Sequence, residues 1–259
     1  MATTLENGAR KQYEREGYVI FRNMLDADLV GEADEHVDWL LRKHPHLRPE
    51  QLGHELARDD PFWIRLVSDE RLLDVAEQFV GPDIALFAAH YICKPPRTGL
   101  PVLWHQDGVF WPLDPMEVVT LWLAVTESDS DNGCLRVIPR THTKPLAGMR
   151  QAEAGSSVLP AEIDAQVDDS RAVDLLLRPG DVSVHHPAIV HSSEPNTSDR
   201  WRRALTIRYI PTHTRITDPS AGCPFLLRGQ PRQGINSYLE RPRFRDGEHM
   251  PFAGDEASR

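Results

Sequence analysis

Residues 103–112 read LWHQDGVFWP, which places an imidazole and a carboxylate, His105 and Asp107, two positions apart among apolar and aromatic neighbours. In an extended chain, residues two apart project from the same face. The pair therefore converges on one spot, which suits a hydrogen-bonded histidine, half of a proton relay, or two members of a metal site. The spacing alone separates none of these. Around it the chain runs in short β-rich stretches: 84–93, 102–110, 118–125, 134–138, 172–177, 182–186, 189–191 and 204–210. Turn signals divide them, among them Lys94-Pro95-Pro96, Asn132-Gly133 and Arg178-Pro179-Gly180-Asp181. Short strands at regular spacing, with no long helix between them, predict an antiparallel sandwich or barrel.

The chain before residue 84 has a different character. A pattern starting at Leu25 continues through Val37, Leu40 and Leu41, with acidic residues early and Arg42 and Lys43 late, the charge order a helix dipole favours. Residues 17–21 read as a short strand, and 70–80 as a helix stopped by Gly81-Pro82. The expected fold is mainly β with flanking helices, in a single domain spanning 1–259. Within it, 1–83 form a mostly helical layer, 84–212 the β core, and 213–259 a C-terminal loop or lid segment rich in Pro, Gly and Arg. The run RGQPRQGINSYLERPRFR in that segment is the one basic patch, read as a solvated lid or tail rather than a seat for an anionic substrate.

With 259 residues, 40% hydrophobic and 26% charged, the chain suits a globular fold, and its formal charge of −10 argues against a broad basic surface for nucleic acid. Three dispersed cysteines without a CxxC favour neither a disulfide framework nor a structural zinc site, and a reducing cytoplasm is the simplest compartment. There is no cationic start followed by an apolar run and no apolar stretch of the ~18 residues a span needs, so neither a signal peptide nor a membrane segment is expected. Oligomeric state is not legible.

A metal site needs a third ligand. Of twelve histidines, His36, His44, His46 and His54 lie in polar stretches and are expected at the surface, whereas His185, His186 and His191 fall late in the β region. Two imidazoles and one carboxylate are the ligand set of non-haem Fe(II), which leaves positions open for O₂ and a reductant. A 2-oxo acid as reductant needs a cation for its far carboxylate, and arginine's planar fork serves best. The stretch after His191 offers Arg200, Arg202, Arg203 and Arg208. On a strand, Arg202, Ala204, Thr206 and Arg208 share one face, and Arg203 lies on the other.

KPP at 94–96, WHQDGVFWP at 104–112, VTLWLAV at 119–125, NGCLRVIPRTH at 132–142, PGDVSVHHPAIVHSSEPNTS at 179–198 and WRRAL at 201–205 together resemble the phytanoyl-CoA dioxygenase family of Fe(II)/2-oxoglutarate oxygenases, over roughly residues 10–212. The resemblance implies a double-stranded β-helix core, a jelly roll. It implies His105, Asp107 and His191 as iron ligands and catalytic centre, with Arg202, eleven positions after His191, for the 2-oxoglutarate carboxylate. Ser193 falls where the family often places a hydroxyl for the same carboxylate, Trp122 would line the cosubstrate pocket, and His90 would reach it. His186 would be a wall residue. Two positions depart from the family pattern: Ser192 stands where Gly is common, and Pro139-Arg140-Thr141-His142 replaces PGSH. Neither touches a ligand.

The implied activity uses Fe(II), 2-oxoglutarate and O₂ to oxidise a C–H bond of a small organic molecule, releasing succinate and CO₂. Hydroxylation is the expected outcome, since halogenating relatives lack the carboxylate that Asp107 provides. Epimerisation, cyclisation or desaturation by the same iron chemistry is the alternative, and a cupin-like isomerase or hydrolase without 2-oxoglutarate is the rival.

Overall fold

Among the described residues fourteen strands carry the fold: β1 Tyr18–Phe21, β2 Ile84–Tyr91, β3 Val102–His105, β4 Leu113–Asp114, β5 Val119–Ala124, β6 Leu135–Ile138, β7 Met149–Gln151, β8 Ala161–Ile163, β9 Val173–Leu175, β10 Val182–His185, β11 Val190–Ser193, β12 Ala204–Pro211, β13 Arg215–Ile216 and β14 Phe225–Arg228. The computed structural model describes residues 4–254 apart from 219. Its helices are α1 Thr4–Glu16, α2 Ala27–Lys43, α3 His54–Ala57, α4 Pro61–Val67 and α5 Glu70–Val80. A six-stranded sheet in the order β1-β10-β5-β12-β2-β14 and a four-stranded sheet in the order β3-β11-β6-β9 form the jelly roll, with antiparallel pairing within each sheet.

The two faces of the large sheet have separate tasks. Every residue of β5 and β12 is buried. Val119, Leu121 and Leu123 of β5, with Leu205, Ile207 and Tyr209 of β12, join the main apolar core together with residues of α2, α4 and α5, including Leu40, Trp63, Leu66 and Leu72. Trp122, Ala124 and Ala204, from the alternate positions, pack instead with Leu135, Val137 and Leu175 of the small sheet. Period-two alternation thus directs one set of side chains to the helical layer and the other to the barrel interior. The expected mainly β architecture with a helical layer is what the chain forms.

The helices start where their caps dictate. Asp26 and Asp60 each accept a hydrogen bond from the backbone N–H three residues on, opening α2 and α4, and Pro61 follows Asp60 where its missing N–H costs nothing. α5 ends at Gly81 in a left-handed conformation with φ 81°. Asp60 has a second role: its other oxygen receives the Nε2–H of His36 at 2.9 Å, while His36 Nδ1 lies 3.2 Å from the Tyr91 hydroxyl. His36, expected at the surface, is therefore fully buried, because its two nitrogens find partners on α4's cap and on β2.

The described residues after 212 are mostly irregular but carry β13 and β14. β14 adds an edge to the large sheet beside β2, and Phe244, Met250 and Phe252 pack into the main core. Its Arg228 is committed to Glu70, Asp74 and Glu77 of α5 rather than to a ligand. No helix among the described residues is long and apolar enough to cross a membrane.

The turn before β6 is built by side chains. Asn132 accepts from the Asp129 N–H and donates to the Glu127 carbonyl, and Gly133 follows at φ 79°. A Cβ there would lie 2.3 Å from the Glu194 carbonyl oxygen. Gly133→Ala is expected to lower the unfolding free energy by about 1–3 kcal/mol, combining left-handed strain with a backbone collision. Urea denaturation of the variant checks this, and an unchanged midpoint contradicts it.

Candidate metal and cosubstrate site

The cross-strand register of β3 and β11 sets His105 directly opposite His191. Their ring centroids are 4.0 Å apart. His105 Nδ1 lies 2.8 Å from the Leu103 carbonyl, and His191 Nδ1 lies 3.0 Å from the Ile189 carbonyl. A carbonyl only accepts, so both rings carry their proton on Nδ1 and present the Nε2 lone pair inward. Such a backbone acceptor behind each imidazole is what fixes a metal-ligating tautomer.

Asp107 is not on the strand, as an extended reading of 102–110 implies. β3 ends at His105, and Asp107 opens a short 3₁₀ turn. The turn still carries the carboxylate to the same spot, with Oδ1 3.6 Å from His105 Nε2 and 3.9 Å from His191 Nε2. Ligand atoms of His105, Asp107 and His191 all fall within 4.8 Å of one another, and all three residues are buried. Burial alone would raise the Asp107 pKa, but His105, His185, His191 and Arg208 hold it well below the usual carboxylate range. His191 is shifted well below the usual histidine range by burial first and by the neighbouring His105 second. A carboxylate and two imidazoles whose Nε2 atoms converge form a donor set suited to a divalent first-row metal.

The triad lines a cavity together with Trp122, Ser193, Arg202 and Arg208. Arg202 is 1% exposed. Its Nη1 donates to the Ile92 carbonyl at 2.8 Å, its guanidinium lies 5.4 Å from the centre of the Trp122 ring, and its Nε has no partner. Burial, with no carboxylate paired to it among the described residues, brings its pKa down to about 10. A buried, unpaired guanidinium is costly unless an anion joins it. The strand parity expected for this stretch holds: Arg202, Thr206 and Arg208 face the cavity, while Arg203 turns outward to Asp34 and Asp38 of α2.

His185, not the expected His186, is the wall residue beside the triad. His185 faces the triad, with Nε2 3.6 Å from Asp107 Oδ2. His186 points away, among Tyr13 and His142, and accepts the Ala188 N–H on Nδ1. Neighbouring residues of an extended segment face opposite sides, so only one could line the site, and parity with Ser183 and Val184 would have chosen it. His90 does not line this cavity. It borders an adjoining hollow that shares Val158 and Leu159 with it.

Lys94, in the Lys94-Pro95-Pro96 turn, is fully buried. Its Nζ donates to the carbonyls of Ser193 and Glu194, and its backbone pairs with that of Arg202. It thereby ties the end of β11 to the approach of β12, the two segments that carry Ser193 and Arg202.

A jelly roll that gathers two imidazoles, a carboxylate and an unpaired arginine in one cavity defines the class of non-haem iron, 2-oxoglutarate-dependent oxygenases. The chain belongs to the phytanoyl-CoA dioxygenase family, whose model matches residues 13–204. It is 26% identical over 234 residues to the peroxisomal phytanoyl-CoA dioxygenase of Bos taurus, an alignment covering 81% of this chain and 69% of that protein. It is 33% identical over 148 residues to a probable alpha-ketoglutarate-dependent hypophosphite dioxygenase of Stutzerimonas stutzeri, covering 56% of this chain and 51% of that protein. Among solved structures it resembles a non-heme monooxygenase, ThoJ in its apo form, at TM-score 0.77 and 26% identity, over 90% of this chain and 87% of that one. The chain is thus an enzyme of this iron- and 2-oxoglutarate-dependent class.

Burial and the nearby Arg202 lower the Lys94 pKa from 10.5 to about 6. A neutral amine has two N–H groups, enough for its two carbonyls. Between those two values the unfolded chain binds one proton more than the folded chain, so this contribution to stability rises with pH and is lost as pH falls toward 6. The stability difference between wild type and Lys94→Met is expected to move in favour of wild type by about 1.4 kcal/mol per pH unit between about pH 6.5 and 8.5. Urea denaturation at both pH values measures it, and a difference independent of pH shows that the lysine folds charged.

Proposed function

We propose that this chain oxidises, by hydroxylation, a C–H bond of a small organic molecule at an Fe(II) held by His105, Asp107 and His191, with 2-oxoglutarate held by Arg202. The observation that carries this reading is the Arg202 guanidinium, without a carboxylate partner among the described residues, in the same cavity as the triad. A cupin-like isomerase or hydrolase has no use for that buried cation.

When bound, ferrous iron supplies one-electron chemistry on O₂, coupled to oxidative decarboxylation of 2-oxoglutarate to succinate and CO₂. The chain's own residues set the geometry. The Leu103 and Ile189 carbonyls hold the two imidazoles in the ligating tautomer. Asp107 would supply the one anionic ligand. Arg202, braced by the Ile92 carbonyl and the Trp122 face, takes the distal carboxylate of 2-oxoglutarate in a fork, and the adjacent Ser193 hydroxyl donates to the same group. Trp122, Val102, Leu135 and Ile92 keep the cavity walls apolar and exclude water from the reacting carbon. The site of action is proposed to be cytoplasmic, in keeping with three buried free thiols.

Succinate release from 2-oxoglutarate in the presence of Fe(II) and O₂ tests the reading without knowledge of the substrate. Arg202→Gln is expected to raise the half-saturating 2-oxoglutarate concentration about 10- to 100-fold, the worth of a charge-assisted bidentate pair. His105→Ala is expected to stop succinate release. Half-saturation within about twofold of wild type in Arg202→Gln would assign the cosubstrate to another cation.

A further inference from the structure

A second buried arginine faces the cavity, and the Fe(II)/2-oxoglutarate reading leaves it without a task. Arg208 lies six residues beyond Arg202 on the inward face of β12 and is 8% exposed. It forms no ion pair among the described residues. Its guanidinium packs 5.2 Å from the centre of the Trp111 ring, Nε has no partner, and Nη1 meets Thr206 Oγ1 at 3.1 Å and His90 Nδ1 at 2.7 Å.

The contact with His90 does not balance. The Gly222 backbone N–H points at His54 Nε2 at 3.2 Å, so His54 carries its proton on Nδ1. That nitrogen faces His90 Nε2 at 3.0 Å. His90 Nε2 must then accept, which places the His90 proton on Nδ1, directly against an Arg208 N–H. Moving the proton to His90 Nε2 only transfers the conflict to the His54 contact. Backbone and guanidinium donors stand at the two ends of a pair of neutral imidazoles, and the row contains one proton too many. An acceptor beside Arg208 and His90 Nδ1 resolves it, because both N–H groups can then donate to the same group.

We propose that Arg208 and His90 form a second anion receptor, which takes a carboxylate or a comparably small oxyanion of the primary substrate. This rests on the oxygenase reading, since it assumes that Arg202 is occupied by 2-oxoglutarate. The charges agree with it. A divalent metal and doubly charged 2-oxoglutarate cancel, Asp107 offsets one arginine, and one buried positive charge remains for the substrate to neutralise. The receptor stands where the triad cavity meets the adjoining hollow that His90 and His54 border, so a substrate held there by its anion lies beside the metal ligands.

The test reads binding, not turnover. The full chain, loaded with Fe(II) and saturated with 2-oxoglutarate under argon, is titrated with propionate and with inorganic phosphite, and with propionamide as the uncharged control. Tryptophan fluorescence reports binding, and Trp111→Phe identifies the reporting ring. Wild type is expected to bind the anions and not the amide. Arg208→Gln and, independently, His90→Phe are expected to weaken anion binding about tenfold or more while leaving 2-oxoglutarate affinity within about threefold. Arg202→Gln is expected to do the reverse. The proposal is overturned if wild type binds neither anion, or if Arg208→Gln and His90→Phe both bind them as wild type does. It is equally overturned if Arg208→Gln weakens 2-oxoglutarate as much as Arg202→Gln does, which would make the anion the cosubstrate's own. Failure of 2-oxoglutarate to bind wild type is a separate result, and it removes the reading on which the receptor rests.

Discussion

The pairing of β3 with β11 is the constraint on which the site depends. A slip of one residue in that register would turn His105 or His191 to the other face of the small sheet and leave no two imidazoles together. The register is held from both sides: β6 pairs with the opposite edge of β11, matching Val137 to His191, and Lys94 fastens the carbonyls at the strand's end. The chemistry is thus positioned by backbone ladders and one buried amine, not by flexible loops, which is how a metal site keeps its geometry before the metal arrives.

Charge in the cavity follows the same economy of parts. The interior holds Arg202 and Arg208, one carboxylate in Asp107, and His191, which burial keeps from taking up a proton readily. Outward-facing Arg203 lies one residue from Arg202 in the chain and forms ion pairs with Asp34 and Asp38. The contrast separates an arginine that holds helices to a sheet from one that awaits a ligand. A protein that is acidic as a whole therefore keeps a locally cationic pocket, which net charge alone does not reveal.

Much of this was legible from the residues. Two-residue spacing in LWHQDGVFWP and alternation in WRRALTIRYI foretold which side chains meet, because period-two geometry is local. Asp107 reached the same place by a route the pattern does not encode, a 3₁₀ turn just after the strand. Long-range partners were out of reach. Nothing local says that His36 will find Asp60 and Tyr91, or that Lys94 will find two carbonyls a hundred residues away. For the same reason β14 went unread: its partner β2 lies far back in the chain, and its own segment is rich in turn formers. Which of His185 and His186 lines the site was a parity question that the neighbouring strand residues could have answered.

An anaerobic titration of the metal-free protein, first with Fe(II) and then with 2-oxoglutarate, is the most direct measurement of the central claim. One equivalent of iron is expected to bind, and addition of 2-oxoglutarate is expected to produce the weak visible charge-transfer absorption of an iron-chelated 2-oxo acid. Stoichiometric iron binding with no such absorption at any 2-oxoglutarate concentration would contradict the assignment and leave a metal enzyme of another kind.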